Sequence, residues 1–171
     1  VREGLRPTHE IFLCEMGARH VGDIQEVCEL AKPTMGIITS VGPQHLETFG
    51  SLEKVLGTKL ELADAVKGKG PVFLNFDSEP LKTKNLSQES ISYGINGEDY
   101  TMSNLSIDEN GSRFSIKAPD GTRQEFSTKL LGHANVQNIC GAIAVAHHLG
   151  IPLAELVPAV RQLESVPHRL Q

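Results

Sequence analysis

Three polar clusters each follow a short apolar run: Glu15-Met16-Gly17-Ala18, Gly42-Pro43-Gln44-His45 and Asn75-Phe76-Asp77. They offer a carboxylate, an imidazole, and an amide beside a second carboxylate; of these, Glu15 and His45 could hold a hard divalent cation bound to a nucleotide while leaving positions open for water and phosphate oxygens. If the apolar runs are strands of one parallel sheet, their ends share one edge, and that edge is where open parallel sheets bind ligands. The competing account is that strand ends are polar because they meet water. For Asp77 the plainer role is to cap the turn that follows it.

A fourth group is Lys59. At 100° per residue, Leu52, Val55, Leu56, Leu60, Ala63 and Val66 form one apolar stripe, with Glu53, Lys54, Glu61 and Asp64 opposite, and Lys59 falls inside the stripe. Either the aliphatic stem packs and the ammonium snorkels to water, or burial lowers the amine's pKa enough for neutral amine to add carbon dioxide. The resulting carbamate would be a new metal-binding carboxylate. Asn135 and Asn138, one turn apart at a helix start, present amides that match the donor and acceptor edge of an adenine ring. Asn135 can equally serve as an N-cap. His147 and His148 are adjacent on a helix, point about 100° apart, and are expected at the surface. Cys14, Cys28 and Cys140 lack CxxC spacing and read as reduced, buried thiols.

The elements that must position these groups follow from the hydrophobic pattern. Residues 10–14 read as a strand, 23–31 as a helix, 35–41 as a strand, 51–66 as a longer helix and 71–76 as a strand. Nearly continuous apolar strands between amphipathic helices imply an α/β fold, a mostly parallel sheet flanked by helices. From 90 to 130 the texture becomes Thr/Ser-rich and alternating. Its breaks at Glu109-Asn110-Gly111-Ser112 and Pro119-Asp120-Gly121-Thr122 predict hairpins, hence a small antiparallel sheet attached to the parallel part. Helical periodicity returns over 135–149 and 153–163, separated by Gly150-Ile151-Pro152. The organisation expected is one domain over 1–171, in three parts: 1–89, 90–131 and 132–171.

Bulk properties remove several function classes. The chain has 171 residues, 39% of them hydrophobic and 22% charged, enough for one globular core. A formal net charge of −5 without a basic run gives no electrostatic footprint for nucleic acid or an anionic membrane. The most apolar helical stretch, 139–149, is shorter than the roughly 20 residues needed to span a bilayer. With no secretory signal at its start, the protein is expected to be cytoplasmic.

These clusters together resemble the MurF branch of the Mur ligase family. Glu15-Met16-Gly17-Ala18, followed by His20, Gly22 and Ile24, is similar to that branch's EMGA-x-H-x-G-E-I stretch, with Asp23 in place of the usual Glu. His45-Leu46-Glu47, then Phe49-Gly50-Ser51, and Lys59 fourteen residues after the histidine, is similar to the HLE-x-FGS loop and its following lysine. Gly132 through Asn138 resembles the G-x-HN-x-x-N segment, with Ala134 where the family usually has His, and Pro167-His168-Arg169 resembles the hinge before a carboxyl-terminal domain. The resemblance implies a P-loop NTPase-like central domain of an ATP-dependent ligase that joins UDP-N-acetylmuramoyl-tripeptide to D-alanyl-D-alanine through an acyl phosphate. It further implies that Glu15, His45 and a carbamylated Lys59 hold Mg2+, with catalysis depending on Lys59 and His45. Asn135 and Asn138 would contact the adenine of ATP, and His168 and Arg169 would sit where a third domain closes.

The family's G-x-x-G-x-x-GK-[ST] phosphate loop has no counterpart before Glu15. That loop, its strand and the flanking domains are expected outside the 171 residues, so the chain alone is expected to be inactive. A missing neighbour strand would leave an apolar sheet edge, through which dimerisation or local disorder is expected. The alternatives are another Mur or folylpolyglutamate-type ligase, or a non-catalytic nucleotide-binding or scaffolding module.

Overall fold

The computed structural model describes residues 4, 6–43, 46–84, 86 and 89–164. The first regular element is helix α1 (Asp23–Ala31), over the residues its amphipathic period predicts. Strand β1 (Gly36–Ile38), short helix α2 (Leu46–Phe49) and helix α3 (Leu52–Val66) follow, then β2 (Val72–Asn75) and a single turn of helix, α4 (Glu79–Lys82). Strands β3 (Ser90–Gly94), β4 (Tyr100–Asp108), β5 (Gly111–Lys117) and β6 (Arg123–Thr128) precede the closing helices α5 (His133–His148) and α6 (Leu153–Arg161). The described strands form one six-stranded sheet in sequence order. Strands β1 to β4 pair parallel, and β4 to β6 antiparallel through the hairpins predicted at the two Gly-containing turns.

The sheet is continuous rather than divided. Strand β3 pairs parallel to β2 over four residues, so the parallel run extends past the point where the sequence texture changes. Parallel neighbours ordinarily need a crossover of a dozen or more residues, yet only residues 95–99 join β3 to β4. The register explains how: β4 begins level with the end of β3, pairing only Tyr93 with Tyr100 and Gly94 with Thr101. The loop is fastened by its own side chains. One oxygen of Asp99 accepts from the Ser92 amide and hydroxyl (both 2.7 Å), and Thr101 Oγ1 donates to the Gly97 carbonyl at 2.9 Å. Gly97 is required there, since a Cβ would lie 2.5 Å from the Tyr100 carbonyl oxygen.

Two apolar layers enclose the parallel strands. On one face Phe73, Tyr93, Met102, Phe114 and Ile116 pack with Val136, Ile139, Cys140 and Ile143 of α5 and with Leu153 and Val160 of α6. On the other, Ile38, Val72 and Leu74 pack with Val55, Leu56, Ala63 and Val66 of α3. Helix α3 lies close to β1 because Gly36 has no side chain: a Cβ there would meet Leu62 Cγ at 2.8 Å. Helix α1 packs against α3.

The strand expected over 10–14 does not form. Ile11, Phe12 and Leu13 are 64%, 47% and 86% exposed, and no residue of that run joins a ladder. A strand is defined by hydrogen bonds to a neighbour, so apolar β-prone sequence alone does not make one. Among the described residues β1 is an edge strand with its outer side unpaired.

The same substitution is expected to have opposite effects at two glycines. Gly97→Ala forces the β3–β4 loop apart and should cost about 1–3 kcal/mol. Gly57→Ala, in α3 with nothing within 4 Å of the new Cβ, should add about 0.4–1 kcal/mol by restricting the unfolded chain. Urea denaturation of both variants measures the pair, and a neutral Gly97→Ala would contradict the loop geometry.

Candidate functional site

After Ile38 the chain leaves the ladder, and the peptide groups of Thr39, Ser40 and Val41 are taken up by side chains. Asn75, 3% exposed at the end of β2, donates its amide to the Thr39 carbonyl at 2.8 Å. Lys59 Nζ donates to the Ser40 carbonyl at 2.7 Å. Ser78 Oγ accepts from the Val41 amide at 3.0 Å and donates to its carbonyl at 3.4 Å. These bonds form a collar at the carboxyl ends of β1 and β2, around the segment that leads to His45.

The Lys59 side chain is partly buried, its ammonium turns toward the end of β1, and desolvation lowers its pKa from the ordinary 10.5. Ser51 caps α3, its hydroxyl accepting from the Lys54 amide at 3.3 Å, and this fixes the phase of the helix that carries the lysine.

Asp77 lies two residues past β2. One carboxylate oxygen accepts from the Ile95 amide (2.9 Å) and Gln137 Nε2 (3.2 Å), the other from the Asn96 amide (2.9 Å) and side chain (3.0 Å). It thus binds the β3–β4 loop and the second turn of α5 to the end of β2, rather than capping the turn that follows it. Asn135 is not the N-cap of α5. Gly132 occupies that position with φ 93° and no side-chain cap, and Asn135, three residues on, donates its amide to the Leu131 carbonyl at 2.8 Å. Its carbonyl oxygen makes no hydrogen bond among the described residues. Asn138 and Ala142 continue an exposed face from it.

Glu15 is exposed on the irregular segment before α1; its backbone carbonyl accepts a weak bond from Cys14 Sγ at 3.9 Å, and its carboxylate makes no hydrogen bond or ion pair among the described residues. The segment is held farther along. Asp23 accepts from the Arg19 and His20 amides (2.7 and 2.8 Å), and Glu61 of α3 accepts from the Gly22 and Gln25 amides (2.8 and 3.0 Å). In the sequence Glu61 lies opposite the apolar stripe of α3; in the structure it is partly buried against the start of α1.

The structure thus gathers Lys59, Asn75 and Asp77 at the carboxyl ends of β1 and β2, with Asn135 and Asn138 on the helix that Asp77 anchors. Glu15 lies on an irregular segment that ends no strand. His45, His168 and Arg169 lie outside the described residues. Among the described residues no three His, Cys, Asp or Glu side chains converge as a metal cluster. A cavity of about 850 Å³ lies elsewhere, between the antiparallel strands and α6, lined by Arg113, Phe126 and Arg161 among others. His147 is not a surface residue: its ring is half-buried, with Nδ1 3.0 Å from the Tyr100 hydroxyl. Burial raises the Tyr100 hydroxyl to about 12, with the nearby Asp120 carboxylate second in effect. Cys28 and Cys140 are buried free thiols, whereas Cys14 is half-exposed. Ser78, Glu61 and Gln137 were missed from sequence. Ser78 alone left a signal, as a Ser directly before Glu79-Pro80 at a helix start.

Comparison with known proteins shows what the chain is similar to. The family model described as the Mur ligase middle domain matches residues 2–146. The UDP-N-acetylmuramoyl-tripeptide--D-alanyl-D-alanine ligase of Haemophilus influenzae is 32% identical over 168 residues, covering 97% of this chain and 36% of that protein. The Bacillus subtilis protein of the same name is 32% identical over 163 residues, covering 95% and 35%. The chain therefore spans about a third of the length of these curated relatives. Among solved structures, MurF from Acinetobacter baumannii superposes with a TM-score of 0.84 at 26% identity, covering 98% of this chain and 37% of that one. The fold also matches MurF ligase from Thermotoga maritima, solved in complex with ADP, with a TM-score of 0.78 at 24% identity over 89% of this chain and 35% of that one.

The sign of the Lys59 shift sets a pH dependence. Below its folded-state pKa both states hold the proton and the desolvation penalty is present in full. Between that pKa and 10.5 the folded state has shed the proton and the unfolded state has not, so stability rises with pH; above 10.5 the penalty is gone. Measured by urea melts against Lys59→Met, the parent chain should gain stability as pH approaches 10.5, and a difference independent of pH would contradict the desolvation. Asp77→Ala leaves two backbone amides without their acceptor and should cost about 1–3 kcal/mol, read in the same melts; no loss would show that the β3–β4 loop stands without it.

Proposed function

The chain belongs to the Mur ligase middle-domain family, and on that premise we propose that it is the ATP-handling part of a longer ligase that adds D-alanyl-D-alanine to UDP-N-acetylmuramoyl-tripeptide. The observation that carries the reading is the desolvated amine of Lys59, turned to the carboxyl end of β1. The names of its relatives and the Glu15-Met16-Gly17-Ala18 stretch support the choice of acceptor.

The reaction has three parts. The terminal carboxylate of the tripeptide attacks the γ-phosphate of ATP, giving an acyl phosphate and ADP. The amine of D-alanyl-D-alanine attacks the acyl carbon, and the tetrahedral intermediate collapses to the amide, expelling phosphate as the nitrogen gives up its proton. In-line transfer of this kind relies on positioning and on charge neutralisation. Mg2+, when bound, neutralises charge on the phosphate oxygens.

The residues present fit that ion. Glu15 offers a solvent-facing carboxylate without a competing partner among the described residues, and His45 follows the collared segment 39–41. In this reading the neutral Lys59 amine adds carbon dioxide, forming a nitrogen–carbon bond and releasing a proton, which supplies a further carboxylate. The one N–H left on that nitrogen is enough to keep the bond to Ser40. Glu15, His45 and Lys59 are therefore the residues proposed to hold Mg2+. The free carbonyl oxygen of Asn135 and the exposed amide of Asn138 suit the amino edge of adenine. His168 and Arg169 are proposed, on the sequence resemblance alone, for a hinge toward a further domain. The three-part division of the chain is retained with them, as are a cytoplasmic location and pairing of copies through the open β1 edge. No helix among the described residues is long and apolar enough to cross a membrane.

The test is turnover by the full-length protein. Phosphate release should require ATP, UDP-N-acetylmuramoyl-tripeptide and D-alanyl-D-alanine together, and Lys59→Ala should lower kcat about 100-fold or more. The 171-residue chain by itself should release none. Preference for a different amino-acid acceptor would move the chain to another ligase of the family, and unchanged turnover in Lys59→Ala would remove the lysine from the site.

A further inference from the structure

Glu15 is seven residues before Gly22, the first residue after it whose backbone is hydrogen-bonded to another helix. Among the described residues, 10–18 make no hydrogen bond to another element except a weak sulfur contact, Cys28 Sγ to Met16 Sδ at 3.8 Å. The first firm attachment is Glu61, whose two carboxylate oxygens take the Gly22 and Gln25 amides at 2.8 and 3.0 Å. Both amides belong to the start of α1, where Gly22 sits at φ 94° and offers no side-chain cap of its own. Unpaired amides at a helix start need acceptors, and here a different helix provides them. Asp23 folds residues 19–23 into a tight turn, so that whatever fixes Gly22 also fixes the approach to Ala18.

Helix α3 thereby acts in two directions. Lys59 and Glu61 are two residues apart, about 200° around the helix. The lysine reaches the end of β1, while the glutamate reaches the segment that carries Glu15. We infer that Glu61 is a positioning residue, which sets where Glu15 stands relative to Lys59 by clamping the start of α1 to α3. The inference rests on the reading of Glu15 as a metal ligand. Substituting Gln keeps the length but turns an amide N–H toward a backbone N–H, so one of the two bonds is lost and a donor faces a donor.

Mn2+, a paramagnetic ion of the same charge class as Mg2+, reports the geometry without turnover. In the 171-residue chain, amides 15–18 should broaden selectively as Mn2+ is added, and Glu15→Gln should abolish the broadening. Glu61→Gln should require about tenfold more Mn2+ for the same effect, while keeping a dispersed amide spectrum. If Glu61→Gln does not fold, Glu61→Asp, which withdraws the carboxylate by one methylene, is read in the same way. A variant that melts earlier yet binds Mn2+ as the parent does would reduce Glu61 to a helix cap and overturn the inference alone. Absence of broadening at 15–18 in the parent chain would sink the metal reading of Glu15 and the role of Glu61 with it.

Discussion

Where a parallel strand stops, its last peptide groups lose the ladder that satisfied them, and something else must take the bonds or the end will fray. Here three side chains from outside β1 take them: Asn75 of β2 holds Thr39, Lys59 of α3 holds Ser40, and Ser78 at the start of α4 holds Val41. The rest of the site depends on this collar. It fixes the chain over residues 39–41, and it gives the lysine a reason to point along the sheet edge. A partly buried ammonium is costly to desolvate, and that cost lowers its pKa from the ordinary 10.5.

A second layer of constraints aligns the neighbouring pieces with that edge. Asp77 joins β2, the β3–β4 loop and α5 with one carboxylate, so the helix bearing Asn135 and Asn138 is registered to the same strand ends. Glu61 does the corresponding work between α3 and α1. Both carboxylates accept from backbone amides, an arrangement that fixes direction as well as distance and leaves little freedom to the loops they hold. The antiparallel strands contribute none of the residues gathered at this edge.

Much of the frame was legible in the sequence because it is written in local periodicity. The stripe of α3, the span of α1 and the two hairpin turns each follow from residues close together in the chain. Lys59 was legible as an anomaly in its stripe, but not the direction of its amine, which is decided by the carbonyl of Ser40 nineteen residues away. Glu61 lies opposite the apolar stripe, and nothing in its own helix reveals that it packs against the start of α1. Residues 10–14 show the reverse error: their composition is that of a strand, yet strand formation is a property of pairs, and no ladder partner is present among the described residues. His147 was misplaced for a related reason, because its burial comes from Tyr100 on a distant strand.

Anomalous diffraction from crystals of the full-length protein grown with Mn2+ and a nonhydrolysable ATP analogue tests the central claim most directly. The account predicts a manganese peak at the carboxyl ends of β1 and β2, bonded to the Glu15 carboxylate and a phosphate oxygen, with Lys59 facing the same cleft and the adenine against Asn135 and Asn138. Nucleotide and manganese bound elsewhere on the protein, with Glu15 and Lys59 touching neither, would contradict it.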